Sequence, residues 1–276
     1  MFATLFLMLI DGKKISAEIE ARLAKEIRRR KARPRLAVIL VGDDPASRVY
    51  VHKKQEAAAR VGIDFSLYTL PSYTNPSGLM RQVRNLAKDP DVHGIVVQLP
   101  LPKQFNTDEI LALIPPEKDV DALNYENHSG LIAATAGAVL EVLRRQKVKI
   151  ASSHAVVVGR GKVAGRPIAL ALLANDATVT VAHSKTKNLA ELTKQADILV
   201  SAVGRPAMIK PAMVKMGAAV IDVGISRMGG KLRGDVDPAV ERKACFLTPV
   251  PGGIGPLTVV KLLENVLLAS QLQNTQ

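Results

Sequence analysis

The chain has no tryptophan, a single cysteine and only 3% aromatic residues. Each shortage removes a class of protein. With one cysteine, Cys245, there is no intramolecular disulfide, which suits a reducing compartment. In the context ACFLTP that cysteine reads as a core strand residue rather than a catalytic thiol. The five histidines lie far apart with no ligand-like spacing, so no metal site is expected. So few rings leave no stacking platform for bases, and no recognised nucleic-acid module accompanies the basic residues. Internal repeats and low-complexity segments are also missing. The opening MFATLFLMLI is apolar, but ten residues are too few to cross a bilayer. It has neither a basic stretch nor a small-residue cleavage site. It reads as a first strand ending at Asp11-Gly12, with Met8 a second candidate for the start.

What is present is aliphatic and basic. The 276 residues are 47% hydrophobic, enough for one large or two ordinary domains with a Val, Ile, Leu and Ala core. The formal charge is +13, densest in KEIRRRKARPR from Lys25 to Arg35. A solvated helix end accounts for that run. The overall positive field would gather anionic substrates and cofactors.

The first half alternates helix and strand: a helix over about 14–32, RLAVILVG, a helix opening at Asp44-Pro45, DFSLYTL, a helix over about 76–88, then GIVVQL running into LPLPK. Continuous apolar strands between helices predict a mostly parallel sheet covered on both faces. Polar and turn-forming residues dominate Lys118 to Gly130 and mark a passage between two domains, followed by a helix over about 136–146. The alternation then restarts with SHAVVVG, ATVTVAH, ADILVSAVG, GAAVIDVG and ACFLTPV, and closes on a final helix. The expected fold is α/β with two domains. Residues 1–130 form a catalytic domain, with the helix 256–276 packing back on it, and 131–255 form a Rossmann-like dinucleotide-binding domain that includes the linker helix.

HAVVVGRGKVAGRPIALALL supports that second assignment. Strand, glycine turn and helix come in the required order, with Gly159, Gly161 and Gly165 spaced GxGxxxG, one residue longer than the common form. The first two glycines allow a tight turn and close approach of a pyrophosphate, and the third lets the helix pack near the sheet. The helix N-terminus offers its partial positive charge to the phosphates. An NAD site places an acid near the end of the next strand. Here the strand ends in His183-Ser184-Lys185-Thr186, and Arg160 stands in the glycine turn. A hydroxyl with cations suits a 2′-phosphate, so NADP is expected over NAD.

Tyr50 and Lys54 are i and i+4 on a helix stripe that continues through Ala57, Ala58 and Val61. A lysine on such a stripe needs partners or a lowered pKa. It could serve as a general acid or base, or it could snorkel its ammonium to the surface. The helix alone leaves both open.

VGDDPAS, VYVHKK, GIVVQLPLP, KDVD, GRGKVAG, HSKT, IDVGI and TPVPGGIGPLT follow one another in this order. Together they resemble the bifunctional methylenetetrahydrofolate dehydrogenase/cyclohydrolase family over about residues 9–269. The resemblance implies an active-site cleft between the two domains. It also implies NADP-dependent oxidation of 5,10-methylenetetrahydrofolate to the methenyl compound, then hydrolysis to 10-formyltetrahydrofolate. It implies Lys54 as the acid/base group, held by Gln98 and flanked by Tyr50, with Asp121 of KDVD anchoring the pterin. Pro251, Gly252, Gly253 and Pro256 would shape the floor beneath substrate and cofactor. Gly159, Arg160, Gly161, Gly165, His183, Ser184, Lys185, Gly204 and Ile225 would meet the cofactor. A cytoplasmic homodimer in one-carbon metabolism and purine biosynthesis, bound to neither nucleic acid nor membrane, is the corresponding expectation.

Three departures bear on that reading. Family members continue KDVD with Gly, an apolar residue and His-Pro, where this chain has Ala122-Leu123-Asn124-Tyr125. A Pro-Cys-Thr-Pro-Gly segment before the linker helix is replaced by the shorter LIAATAGAVLEVL, with Thr135 and Gly137 as remnants. Gly161 stands where serine is usual. The first two expose the cyclohydrolase more than the dehydrogenase. The rival readings are a monofunctional dehydrogenase, a basic nucleic-acid-binding protein on an α/β scaffold, and a cofactor sensor without turnover.

Overall fold

A computed structural model describes residues 10–30, 32–124 and 130–273. The first strand expected over residues 1–10 lies almost wholly outside the described residues, as does Tyr125. The chain forms two compact units. One comprises Ala17–Ala134 with the chain from Val259 onward; the other comprises the described residues up to Ser16 with Thr135–Thr258.

The first unit holds helix α1 (Gly12–Arg28, from its second turn), strand β1 (Arg35–Val41), α2 (Pro45–Val61), β2 (Asp64–Leu70), α3 (Pro76–Lys88), β3 (Gly94–Val97) and α4 (Thr107–Leu111). Its three strands are all parallel, in the order β2-β1-β3. Local chemistry fixes the helix starts. Asp44 caps α2 by accepting from Ser47 N, and Asn75 caps α3 by accepting from Gly78 N, each followed by proline at the first helical position. Gly62 ends α2 in the left-handed conformation, with its N–H on Ala58 O. β1 and β3 are buried almost throughout, while the edge strand β2 alternates exposed and half-buried positions. Ala37, Ile39, Val41, Ile95 and Val97 pack against Leu79, Val83 and Leu86 of α3. α1 stops at Arg28, four residues short of the expected end, and Lys25 and Arg28 occupy its last turn.

The second unit holds α5 (Ala134–Arg145, from Thr135), β4 (His154–Val158), α6 (Gly165–Leu173), β5 (Thr178–Ala182), α7 (Leu189–Thr193), β6 (Ile198–Ser201), β7 (Ala219–Asp222), a hairpin of β8 (Ser226–Met228) and β9 (Lys231–Arg233), and β10 (Phe246–Leu247). Helix α8 (Ile254–Gln273) begins here. The main sheet is parallel, in the order β10-β7-β6-β4-β5. The chain runs from β4 outward to β5, then returns to β6 on the other side of β4. That reversal is where open parallel sheets bind ligands, at the carboxyl ends of the strands. The hairpin was not foreseen from the sequence, because each strand has only three residues. Cys245 is a bend residue before β10 and is only half-buried, not a strand residue in the core. Burial pushes its thiol up, away from the reactive thiolate.

Candidate active site

In the first unit, Lys54 Nζ donates to Gln98 Oε1 at 3.1 Å. Gln98 directly follows β3, and its backbone N–H extends the ladder by donating to Ile39 O at 2.9 Å. Its Nε2 donates to Leu99 O at 2.8 Å, which turns Oε1 toward the lysine. The peptide bond that follows, Leu99-Pro100, is cis. One side chain on α2 and one at the end of β3 are thus joined by a hydrogen bond spanning 44 residues of sequence.

The lysine's stripe is the packed face of α2. The buried residues of α2 are Ser47, Val51, Ala57, Ala58 and Val61, and Lys54 is half-buried among them. Tyr50 is 42% exposed. It shares the face of Lys54, Ala57 and Val61, but stays exposed there.

The KDVD segment lies beside β3, where Asp119 makes a parallel bridge to Ile95. Asp121 is half-buried. Asp119, not singled out from the sequence, is 3% exposed. Its Oδ2 accepts from Asn124 N at 3.1 Å, and its Oδ1 meets no partner among the described residues. Burial pushes its carboxyl up to about 6. Ala122 has φ of 49°, a left-handed conformation that glycine adopts freely and alanine does not. This is the position at which the resembled family carries glycine. Asn265 of α8, also missed, is 8% exposed and its Nδ2 donates to Val120 O at 2.8 Å and to Ile132 O at 2.7 Å. An asparagine within an apolar helix, VVKLLENVLLAS, was the available hint.

In the second unit, Gly159 sits at φ of 115°, and a Cβ there would overlap Ala202 O. A Cβ at Gly165 would overlap Gly159 O. The turn and the start of α6 are therefore closed to any side chain at these two positions, which leaves a bare backbone cradle at the helix N-terminus. No side chain caps that terminus at Ala164. Gly161 differs from the expectation. Nothing lies within 4 Å of a Cβ there and its φ is not positive, so the turn does not require glycine at that point.

After β5, His183 to Thr186 fold into a compact turn. His183 N donates to Thr186 Oγ1 at 2.8 Å, Thr186 N donates to His183 O at 2.8 Å, and Lys185 N donates to His183 Nδ1 at 3.1 Å. The internal bonds hold the backbone while Ser184 and Lys185 stay exposed, as does Arg160. No carboxylate stands in this turn. A dinucleotide with a 2′-phosphate fits this donor set: bare backbone for the pyrophosphate, then hydroxyl and cations for the extra charge.

The turn Pro251–Gly253 and the first turn of α8, with Pro256, belong to the same unit. Val250-Pro251 is cis, and Gly252 has φ of 104°. Gly12 N donates to Gly252 O at 2.9 Å, and a Cβ at Gly12 would overlap the carbonyl oxygens of Gly252 and Gly253. Gly12 opens α1 and packs on this turn. Ser16 Oγ donates to Pro256 O at 3.3 Å. A separate cavity of about 350 Å³ includes Asp222, Thr248 and Val250 but none of the residues expected to meet the cofactor.

A parallel sheet with a bare glycine cradle at its reversal point, together with a lysine held by an amide, defines a dinucleotide-dependent α/β enzyme class. Comparison with known proteins narrows it. The profile of the tetrahydrofolate dehydrogenase/cyclohydrolase catalytic domain matches residues 10–121, and that of the family's NAD(P)-binding domain matches 133–274. The chain belongs to the tetrahydrofolate dehydrogenase/cyclohydrolase family. The bifunctional protein FolD of Methanospirillum hungatei is 47% identical over 266 residues, covering 94% of this chain and 95% of that protein. The bifunctional FolD dehydrogenase/cyclohydrolase of Campylobacter jejuni superposes with a TM-score of 0.92 at 39% identity, covering 96% of this chain and 99% of that one. The Trypanosoma brucei enzyme, solved with NADP and an inhibitor, gives 0.91 at 38% identity, covering 98% and 99%.

Proposed function

We propose that this protein oxidises 5,10-methylenetetrahydrofolate with NADP and then hydrolyses the methenyl product to 10-formyltetrahydrofolate. The observation that carries the reading is the Lys54–Gln98 hydrogen bond, in a chain that also has the glycine cradle of Gly159 and Gly165. NADP, when bound, supplies the hydride acceptor. We assign folate binding to residues 1–130 with the helix 256–276, and cofactor binding to 131–255.

The chain's own residues do the rest. Hydride loss from the bridging carbon leaves a cation shared with the two flanking nitrogens, so the first step chiefly needs orientation. Asp121 supplies it by accepting hydrogen bonds from the pterin, with Tyr50 beside the ring and Pro251, Gly252, Gly253 and Pro256 as the floor. Gly159, Arg160, Gly161, Gly165, His183, Ser184, Lys185, Gly204 and Ile225 bind the cofactor. In the second step water adds to the cationic carbon and loses a proton; the hydroxyl so formed then loses its own proton as the bond to one nitrogen breaks and that nitrogen is protonated, which leaves the formyl C=O and one proton released. Lys54 carries these protons, as the neutral amine that takes one from water and the ammonium that gives one to the nitrogen, with Gln98 Oε1 holding it by one N–H.

The roles in one-carbon metabolism and purine biosynthesis, and a cytoplasmic location, follow from this activity. Among the described residues no helix is long and apolar enough to cross a membrane. A homodimer is supported by exposed apolar residues along α6, the turn before it and the edge strand β5: Val163, Leu170, Leu173 and Val181. A monomer mass by sedimentation at micromolar concentration would dismiss it.

The deciding experiment offers methylenetetrahydrofolate with NADP and with NAD separately, and resolves methenyl and 10-formyl products against spontaneous hydrolysis. Formyl product above that background with NADP is expected. Accumulation of the methenyl compound alone would leave a monofunctional dehydrogenase, and no oxidation with either cofactor would overturn the reading.

A further inference from the structure

Two buried carboxylates stand in the second unit outside every residue assigned above. Asp235 is 0% exposed and Asp222 is 4% exposed. The partners that they meet are one hydroxyl and six backbone N–H groups. Asp235 Oδ2 accepts from Ser201 Oγ at 3.0 Å, Val203 N at 2.7 Å and Gly204 N at 3.3 Å, and its Oδ1 accepts from Arg205 N at 2.7 Å. Asp222 Oδ1 accepts from Gly224 N at 3.1 Å and Asp235 N at 3.0 Å, and its Oδ2 accepts from Val236 N at 2.8 Å. The loop after β6 therefore wraps one carboxylate and the loop after β7 turns on the other. Two glycines make room: a Cβ at Gly224 would overlap the Asp235 carboxyl, and one at Gly234 would overlap that of Asp222. Ser226 Oγ then ties the second loop to the first by donating to Gly204 O at 2.7 Å.

Burying a carboxylate is expensive, and an apolar side chain would fill the same space at no such cost. What a carboxylate adds is direction: several N–H groups converging on it fix the path of the backbone that carries them. The backbone so fixed carries Gly204 and, one residue past Gly224, Ile225. We propose that Asp235, with Asp222 behind it, is a positioning residue that sets the Gly204 and Ile225 loops for the cofactor without touching it. This rests on the cofactor assignment of those two residues made above.

The test compares NADP affinity with hydrolysis of methenyltetrahydrofolate, a reaction that uses no cofactor. In Asp235→Asn an amide N–H₂ faces donors where an oxygen stood. The Kd for NADP, read by titration, is expected to rise roughly tenfold or more, with hydrolysis falling no more than about twofold. Ser201→Ala removes a single bond and is expected to give a rise of roughly two- to fivefold with the fold intact. It decides the matter if Asp235→Asn does not fold. NADP affinity within twofold of the unaltered protein in both folded variants would overturn the proposal. So would a parallel loss of affinity and hydrolysis, which would mark the carboxylate as a support of the fold alone. Unaltered protein that binds no NADP would instead sink the functional reading, and this proposal with it.

Discussion

At Lys54 the ammonium meets an amide whose other end is already engaged, since Gln98 Nε2 donates to Leu99 O. The oxygen can only face the lysine, so the pair has one sensible arrangement. Lys54→Met keeps the length of the side chain and removes the proton carrier. Hydrolysis of the methenyl compound is expected to fall by at least about a hundredfold, with NADP binding retained. Hydrolysis at the original rate in that variant would refute the acid/base role. Asp119 makes a different test. Burial lifts its carboxyl from 3.8 to about 6, so the folded protein holds this proton more tightly than the unfolded chain. The resulting stability is complete below the unfolded value, declines as pH rises, and is gone above the folded one. Asp119→Asn has the same shape and does not titrate. Between about pH 3.5 and pH 7 the original protein should lose on the order of 2–3 kcal/mol relative to the variant. Urea midpoints at both pH values would read this, and an unchanged difference would count against it. Ala122, held at φ of 49°, should gain about 0.5 kcal/mol on change to glycine, visible as a raised Tm.

Among the elements, the glycine turn offers a matched pair of substitutions. Gly165→Ala drives a methyl into the carbonyl of Gly159 and should destabilise the fold by about 3 kcal/mol or more. Gly161→Ser has open space and should leave both Tm and NADP affinity near their original values. The sequence distinguished these glycines poorly, because spacing reports where glycines recur and not what each one touches. Local signals did better. Asp44-Pro45 marks the start of α2, and DFSLYTL and the helix over 76–88 have in the structure the bounds that the sequence suggests. The hairpin β8–β9 and the short α4 escaped, since runs of three to five residues carry too little periodicity. The Asp222–Asp235 network also escaped. All but one of its partners are backbone groups, which leave no trace in side-chain pattern, although Asp-Val-Gly and Gly-Asp both set a glycine near an aspartate. Tyr50 shares the face of Lys54, Ala57 and Val61, as i and i+4 spacing implies, but it is 42% exposed, because spacing reports the face and not what covers it.

For the molecule as a whole, charge and order of segments were the legible quantities. Aliphatic strands alternating with helices gave two parallel sheets, and both are entirely parallel. A net charge of +13 acts on anionic ligands at long range. The kcat/KM for NADP is therefore expected to fall several-fold as salt rises from about 20 to about 300 mM, where the Debye length shortens from roughly 20 to 6 Å. A flat profile would show that the excess charge has no part in capture.

Asn265 grips the chain on both sides of the passage between the two units, at Val120 O and Ile132 O. A clip of this kind fixes the two stems on one helix, and the entropy of closing the span between them grows only slowly with its length. A change of length between residues 124 and 130 therefore costs little in closure, whereas Leu123, buried in the same cluster as Ile39 and Ile95, ties the start of the span to the core. The altered KDVD continuation and the shortened approach to α5 fall in or beside that interval. One amide on α8 thus serves as the anchor that both ends of this stretch share.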